Sequence, residues 1–162
     1  MIVLNEEVSK DNDYSMKTLE QATADATELG LILVLPESGE LQLDLDTPRT
    51  AKNAAALNIL RNLYGIISDP LFTLSKSRNQ HCYIHITQPL TDLESVAWQA
   101  ALGSDPVREA PSLQRIFNGA DFVNCLFETP EEKERIDAWR DNCRKLVMAN
   151  RDAQIIDEEI PF

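Results

Sequence analysis

The sequence lacks any apolar run long enough to cross a membrane, and residues 1–10 lack the basic start and apolar core of a secretion signal. Cysteine is also scarce, since 162 residues contain three cysteines and no Cys-x-x-Cys pair. An odd, scattered set argues against a disulfide framework and gives no sign of a zinc site. These absences predict a soluble, cytoplasmic protein with no membrane partner.

Basic residues are few relative to acidic ones. The 15 Lys and Arg against 27 Asp and Glu give a formal net charge of −12. A protein whose whole surface coats nucleic acid is therefore disfavoured, because such binding needs clustered Lys and Arg. Local basic patches, an acidic metal site and an acidic DNA mimic all remain compatible with this charge.

Strand and helix patterns alternate along the chain, and 43% of the residues are apolar. This predicts one α/β (α+β) domain over residues 1–150, followed by a flexible acidic tail over residues 151–162. Strand patterns over residues 31–35 and 41–46 are separated by a short polar turn. That spacing predicts a hairpin between these two strands.

Two helices have clear start and stop signals in the sequence. Apolar residues at helical spacing follow a possible cap at Ser15 and continue to Gly30, which is placed to end the helix. A proline in an acidic first turn, Pro130, starts the last helix, which is predicted to fray near Asn150.

Residues 41–46 read Leu-Gln-Leu-Asp-Leu-Asp. In a strand this alternation turns the leucines to one face and Gln42, Asp44 and Asp46 to the other. Two carboxylates on one face repel each other unless a cation lies over them. Mg²⁺ and Mn²⁺ are such cations, because both prefer carboxylate oxygen. The plain alternative is a strand with a solvated polar face.

Two later stretches carry polar residues that suit the same chemistry. A polar, partly basic turn begins at Ser75 and opens a strand at His81. Farther along, Asp105 precedes a short helix that carries Arg108 and Arg115. Each of these motifs is weak alone, so any inference from them depends on their order and context.

In this order the motifs resemble the catalytic core of the archaeo-eukaryotic primase superfamily, which includes the primase-polymerases. That family has a hydrophobic-Asp-hydrophobic-Asp strand, a Ser-x-His-type turn that opens a strand, and a hydrophobic-Asp motif followed by arginines. The counterparts here are Leu43-Asp44-Leu45-Asp46, the segment from Ser75 to His81, and Leu102-Gly103-Ser104-Asp105 with Arg108 and Arg115. The resemblance implies an antiparallel or mixed sheet like that of an RNA-recognition module, flanked by helices.

The resemblance also implies metal-dependent nucleotidyl transfer. Asp44, Asp46 and Asp105 would hold Mg²⁺ or Mn²⁺, which activate the primer hydroxyl and neutralise charge on the α-phosphate and pyrophosphate. The incoming nucleotide and the template would be bound by Ser77, His81, Lys76, Arg78 and Arg115. Where the family's turn usually carries glycine, this chain has Arg78 and Asn79. A degenerate, inactive core is therefore the alternative.

Each of these residues also has a plainer role open to it. His81 fits an ordinary hydrogen-bonded strand histidine. Asp105 fits the N-cap of the following helix, because aspartate is a preferred capping residue. Lys76 and Arg78 fit a solvated turn.

The end of the chain is a second motif. It closely resembles the acidic tip of bacterial single-stranded DNA-binding proteins, which docks on replication and repair enzymes. We expect Phe162 to fill an apolar pocket, its carboxylate to meet a cation, and the acids to steer toward a basic rim. The plain alternative is an acidic tail without a partner. The motif comprises Asp157, Glu158, Glu159, Ile160, Pro161 and Phe162.

Both resemblances point to DNA replication in a bacterial or phage-infected cell. The core predicts a small primase-polymerase-like nucleotidyltransferase whose partners are nucleotides and single-stranded DNA. The tail also suits a non-catalytic single-stranded DNA-binding or recruitment protein built on a degenerate primase-like fold. An acidic DNA-mimic inhibitor is a third and more distant class.

Overall fold

The computed structural model describes residues 17–46, 51–76 and 78–158, with side chains described as far as Arg151. Within these ranges the chain forms five helices and five strands. In chain order they are α1 (Leu19–Glu28), β1 (Ile32–Val34), β2 (Glu40–Leu45), α2 (Ala51–Tyr64), β3 (Leu71–Leu74), β4 (Gln80–His85), α3 (Asp92–Ala101), α4 (Pro106–Asn118), β5 (Leu126–Glu128) and α5 (Pro130–Glu158).

The strands form two small antiparallel sheets. In the larger sheet β4 lies between β2 and β3, and in the smaller sheet β1 pairs with β5. The prediction of a single α/β domain with an antiparallel sheet flanked by helices is confirmed. No helix in the described ranges is both long enough and apolar enough to cross a membrane.

The predicted hairpin between the first two of these strands is wrong, because β1 and β2 belong to different sheets. A buried arginine of α5 separates them. Arg140 Nη2 donates to the carbonyl oxygen of Leu35 at 2.7 Å and to Glu40 Oε1 at 2.7 Å. Residues 37–40 between the strands still form a turn, in which the Glu40 N–H donates to the Glu37 carbonyl oxygen at 3.0 Å, but the strands on either side of it do not pair.

One face of the larger sheet is apolar. Leu41, Leu43 and Leu45 of β2 lie on it beside Cys82 and Ile84 of β4, as the alternation predicts. These side chains pack against α2 and the end of α3 in one core cluster. Burial of this apolar surface is what holds the two helices on the sheet.

The other face of the sheet is polar and also buried. Gln42 is 0% exposed and Glu40 is 4% exposed, so the polar face is not solvated over the first part of β2, whereas Asp44 is partly exposed and Asp46, just after the strand, is exposed. Opposite Gln42 and Glu40 in register lie Tyr83 and His85, which are buried as well. Polar groups taken out of water need partners, and the second face therefore holds a hydrogen-bonded layer rather than a hydration shell.

Two helix ends differ from the sequence prediction. The first helix begins at Leu19 rather than near Ser15, because Thr18 forms a capping box with Gln21. The last helix does not end near Asn150 but continues to Glu158. Residues 151–158 contain no glycine or proline, so nothing in them stops a helix, and the predicted tail overlaps the end of α5.

Candidate functional site

A cavity of about 660 Å³ opens at the edge of the polar face of the larger sheet. It lies between the ends of β2 and β4, the turn that precedes β4, one side of α4 and the segment that leads into β5. Its apolar wall includes Leu31, Val107 and Phe127. Its polar wall comprises Asp44, Ser75, Lys76, Asn79, His81, Asp105, Arg108, Ser112 and Arg115.

The cavity brings together parts of all three sequence motifs. Asp44 of the first motif, Lys76 and His81 of the second, and Asp105 and Arg115 of the third all line it. The remaining site predictions fall elsewhere: Asp46 is exposed at the end of β2, Arg78 is exposed and does not line the cavity, and Ser77 lies outside the described residues.

Residues 159–162 of the terminal motif lie outside the described residues. Asp157 and Glu158 form the last part of α5, where the backbone alone is described.

Asp44 is a partly buried carboxylate whose negative charge is not fully neutralised by its neighbours. Its Oδ1 is buried and accepts no hydrogen bond within the described part of the chain. Burial raises the pKa of Asp44 above its ordinary value, the neighbouring Asp46 raises it further, and His81 and Arg108 oppose the rise. A carboxylate in this environment favours a bound cation or a proton.

His81 lies directly opposite Asp44 in the β2–β4 register and is held between two carboxylates. Its Nε2 lies 3.8 Å from Asp44 Oδ1 on the cavity side. Its Nδ1 lies 2.7 Å from Oε1 of Glu128 at the end of β5. The plain alternative, a hydrogen-bonded strand histidine, therefore describes the Nδ1 side of the ring, whereas the Nε2 side faces a lining residue of the cavity.

Glu128 is a functional candidate that the sequence analysis missed. It is 0% exposed, and its Oε1 accepts hydrogen bonds from Tyr83 Oη at 2.6 Å and Thr73 Oγ1 at 2.8 Å in addition to His81. Its position in the sequence could have indicated a buried carboxylate. Glu128 ends an apolar strand and follows Leu126 by two residues, so the two side chains lie on the same face of the strand.

Asp105 is placed in the cavity wall by its backbone, and its carboxylate is already engaged. The side chain accepts from the N–H of Val107 at 3.1 Å and so caps α4, with Pro106 in the first turn. The alternative of a helix cap is thus confirmed. Its own N–H donates to the carbonyl oxygen of Asp44 at 2.8 Å.

The turn between β3 and β4 is closed by Ser75. Ser75 exchanges backbone hydrogen bonds with Asn79 and Arg78, and its Oγ accepts from the Asn79 N–H at 2.9 Å. Arg78 has φ of +67°, in the left-handed region that favours glycine. The resemblance implies glycine at this point of the turn. The left-handed backbone conformation that suits glycine is therefore present here, but the residue that adopts it is an arginine.

The basic residues of the cavity wall also support the fold. Arg115 is 3% exposed, stacks 4.0 Å from the centre of the Phe122 ring and donates to the Lys17 carbonyl oxygen at 3.1 Å. Arg108 Nη1 donates to the carbonyl oxygen of Gln42 at 2.6 Å and to Glu109 Oε1 at 2.7 Å. The Arg108–Gln42 bond holds α4 against β2, and the Arg115 contacts join α4 to Lys17 and Phe122, so both arginines carry positive charge into the wall in fixed positions.

The described residues contain no group of three or more His, Cys, Asp and Glu side chains that is close enough to hold a metal ion. Asp44 and Asp46 contact each other, and the capping role of Asp105 takes its carboxylate away from them. A metal site formed by protein side chains alone is therefore absent from the described residues. The Asp44–Asp46 pair, with its buried unpartnered oxygen, fits an ion that takes its remaining ligands from water or a nucleotide.

Comparison with known proteins adds no relative. No family model, no curated protein and no solved structure matches the chain.

Proposed function

We propose that this protein is a small nucleotidyltransferase of the primase-polymerase type that acts in DNA replication and binds a nucleoside triphosphate in the 660 Å³ cavity. What supports the proposal is one observation: three motifs far apart in the sequence line the same cavity. The three motifs contribute Asp44, His81 and Arg115, respectively, to the lining of the cavity. A carboxylate beside fixed cationic and polar groups suits a polyphosphate with its counterion.

In this proposal Asp44 and Asp46 hold a single Mg²⁺ or Mn²⁺ together with the phosphates of the nucleotide. Mg²⁺ is usually bound through one or two protein carboxylates plus substrate oxygens and water, so two acids are enough. When bound, the ion supplies charge neutralisation at the phosphate and activation of the attacking hydroxyl. Asp105 contributes through its backbone, which supports Asp44.

The other lining groups have distinct roles in the same proposal. His81 donates an Nε2–H to a phosphate oxygen, and Lys76 adds positive charge at the mouth of the cavity, where its Nζ donates to the Leu29 carbonyl oxygen. Arg115 supplies a fixed charge deeper in the wall. The apolar side chains Leu31 and Val107 offer a surface on which a base or sugar is shielded from water.

The test is metal-dependent extension of a primed single-stranded template by wild type and by Asp44→Asn. We expect Mg²⁺- or Mn²⁺-dependent incorporation in wild type and a loss of at least about 100-fold in the variant. Asp137→Asn is the matched control, because it removes the same charge from an exposed α5 side chain that pairs with Lys133. Equal activity of the two variants, or no incorporation by wild type, contradicts the enzyme.

A second candidate is a non-catalytic single-stranded DNA-binding or recruitment protein. The observation that favours it is the use of Asp105 as a helix cap, which leaves an active site one acidic ligand short of the implied set. Salt-sensitive binding of single strands that survives Asp44→Asn, without incorporation, would support this candidate. The acidic DNA mimic instead predicts no affinity for any nucleic acid.

The terminal motif supports a further part of the proposal, docking on replication or repair enzymes that recognise the tips of single-stranded DNA-binding proteins. The run Asp157–Glu158–Glu159 suits a basic rim, and Ile160–Pro161–Phe162 suits an apolar pocket. Because α5 continues to Glu158, the acids begin on a helix. The docking element would therefore be presented at the end of this helix.

A further inference from the structure

The Oε1 atom of Glu128 accepts three hydrogen bonds from one polar layer. The donors are Thr73 Oγ1 on β3 at 2.8 Å, His81 Nδ1 on β4 at 2.7 Å and Tyr83 Oη on β4 at 2.6 Å. The carboxylate is 0% exposed, so water makes no contribution to its solvation. A buried charge is stable only when such partners replace the lost hydration.

The three donors keep Glu128 ionised. Burial is the largest influence and would raise the pKa of Glu128, yet the bond and charge of His81 and the bonds from Tyr83 and Thr73 hold it below the ordinary value. The Tyr83 pKa is raised, through burial and through Glu128, so this hydroxyl remains a donor. Because Oε1 carries no proton, each of its three hydrogen-bond partners must donate one.

That requirement sets the orientation of His81. Because Glu128 can only accept, Nδ1 of His81 must carry hydrogen, and the ring cannot turn over without placing a C–H against the buried carboxylate. Nε2 is then the nitrogen on the cavity side, 3.8 Å from Asp44 Oδ1. A carboxylate behind a histidine acts in this way in many metal and catalytic sites.

We infer that Glu128 is a positioning residue: it accepts the Nδ1–H of His81 and so directs Nε2 into the cavity, where an Nε2–H of the doubly protonated ring donates to a phosphate group of a nucleotide. The inference rests on the proposed function, because it assumes a phosphate-bearing ligand there. Glu128 itself faces away from the cavity and does not touch the ligand. Thr73 and Tyr83 supply the other two hydrogen bonds to Oε1, whereas Oε2 is buried and has no hydrogen-bond partner among the described residues.

The first measurement is the ¹⁵N spectrum of the His81 ring, which reports which nitrogen carries hydrogen. The chain has two histidines, and His85→Gln assigns the remaining signal. In wild type we expect Nδ1 of His81 to carry hydrogen with and without ligand, and Nε2 to carry hydrogen as well when dATP is bound, because a phosphate oxygen can only accept. A bare Nδ1 would overturn the inference without any binding assay.

The second measurement is binding of dATP, with and without Mg²⁺, to wild type, Glu128→Gln and Thr73→Val. Glu128→Gln keeps the size of the side chain but removes its charge, so His81 Nδ1 loses its charged partner. We expect this variant to weaken dATP binding by about tenfold and to change the His81 ring signals, while Thr73→Val weakens binding by less than about threefold.

Thr73→Val is the matched control because it removes a hydrogen bond to the same oxygen, at the position opposite His81 on β3, and leaves the His81–Glu128 bond in place. Equal loss of affinity in both variants, with unchanged His81 signals, would reduce Glu128 to a structural role and overturn the inference. Wild-type protein that fails to bind dATP would instead overturn the proposed function. The two failures are therefore separable, and thermal melting of each variant establishes that the folded protein was measured.

Discussion

The N–H of Asp105 donates a hydrogen bond to the carbonyl oxygen of Asp44 at 2.8 Å. The N–H of Asp44 in turn donates to Oγ of the neighbouring Ser104 at 3.1 Å. Both backbone groups of Asp44 therefore contact the segment that starts α4. The position of the cavity's central carboxylate depends on this helix as well as on the pairing of β2 with β4.

Asp44→Asn is expected to stabilise the protein at neutral pH while it impairs the site. The folded-state pKa of Asp44 lies above its ordinary value of 3.8, chiefly through burial and also through Asp46. A raised carboxyl pKa favours folding below the ordinary value, and that contribution is lost as the pH rises through the folded pKa. The ionised group therefore opposes folding at pH 7, and urea unfolding should show a higher midpoint for the variant.

The same measurement at pH 3 provides the internal control for Asp44→Asn. At pH 3 residue 44 is uncharged in both wild type and Asp44→Asn, so the higher unfolding midpoint of the variant should disappear. Asp137→Asn, on the exposed face of α5, should change neither midpoint appreciably. The result would contradict a buried Asp44 carboxylate if Asp44→Asn were less stable than wild type at pH 7 and if this loss of stability were larger at pH 7 than at pH 3.

Arg78→Gly is expected to raise stability. The left-handed conformation at φ +67° costs an L-residue roughly 1–2 kcal/mol, and glycine removes that cost but adds freedom to the unfolded chain. The net gain should be about 0.5–1 kcal/mol, or a rise of roughly 2 °C in Tm by calorimetry. Asn79→Gly in the same turn lacks the left-handed φ and should lower Tm; a gain there as large as at residue 78 would refute the explanation.

Arg140→Met is expected to destabilise the protein strongly. Arg140 is 6% exposed and pairs with Glu40, which is 4% exposed, so the substitution leaves an unpaired carboxylate in the interior. Losing one partner of a buried pair costs about 3–5 kcal/mol, which urea unfolding resolves readily. Arg144→Met, one turn later on α5, removes an exposed arginine from Glu37 and Asp141 and should change stability little. Similar losses in both variants would be inconsistent with a buried guanidinium at residue 140.

Phe162→Ala is expected to leave the fold unchanged and to weaken docking. An aromatic anchor that fills a pocket typically contributes about 2 kcal/mol or more to binding, so affinity for a tip-recognising replication enzyme should fall by roughly 30-fold. Binding is measured by titration of the full chain, with Glu131→Gln in the first turn of α5 as a control for loss of acidic charge. Unaltered affinity in the Phe162 variant would remove the docking proposal but not the cavity.

Local signals in the sequence specify several elements well. The capping box at Thr91 with Glu94 starts α3, and Pro130, followed by two acids, starts α5. Such features depend on contacts within one turn of backbone, so neighbouring residues are sufficient to specify them. The alternation on β2 was equally local and correctly separated its leucines from its polar residues.

The sequence by itself determined the α/β class, the two faces of β2 and the order of the motifs, because these depend on periodicity and on residues close in the chain. Tertiary structure alone decided that β1 pairs with β5, that the polar face is covered, and that Glu128 lies behind His81. An alternating strand has the same pattern whether water or a buried carboxylate faces its polar side. What covers that side depends on β5 and α5, which the chain supplies far downstream.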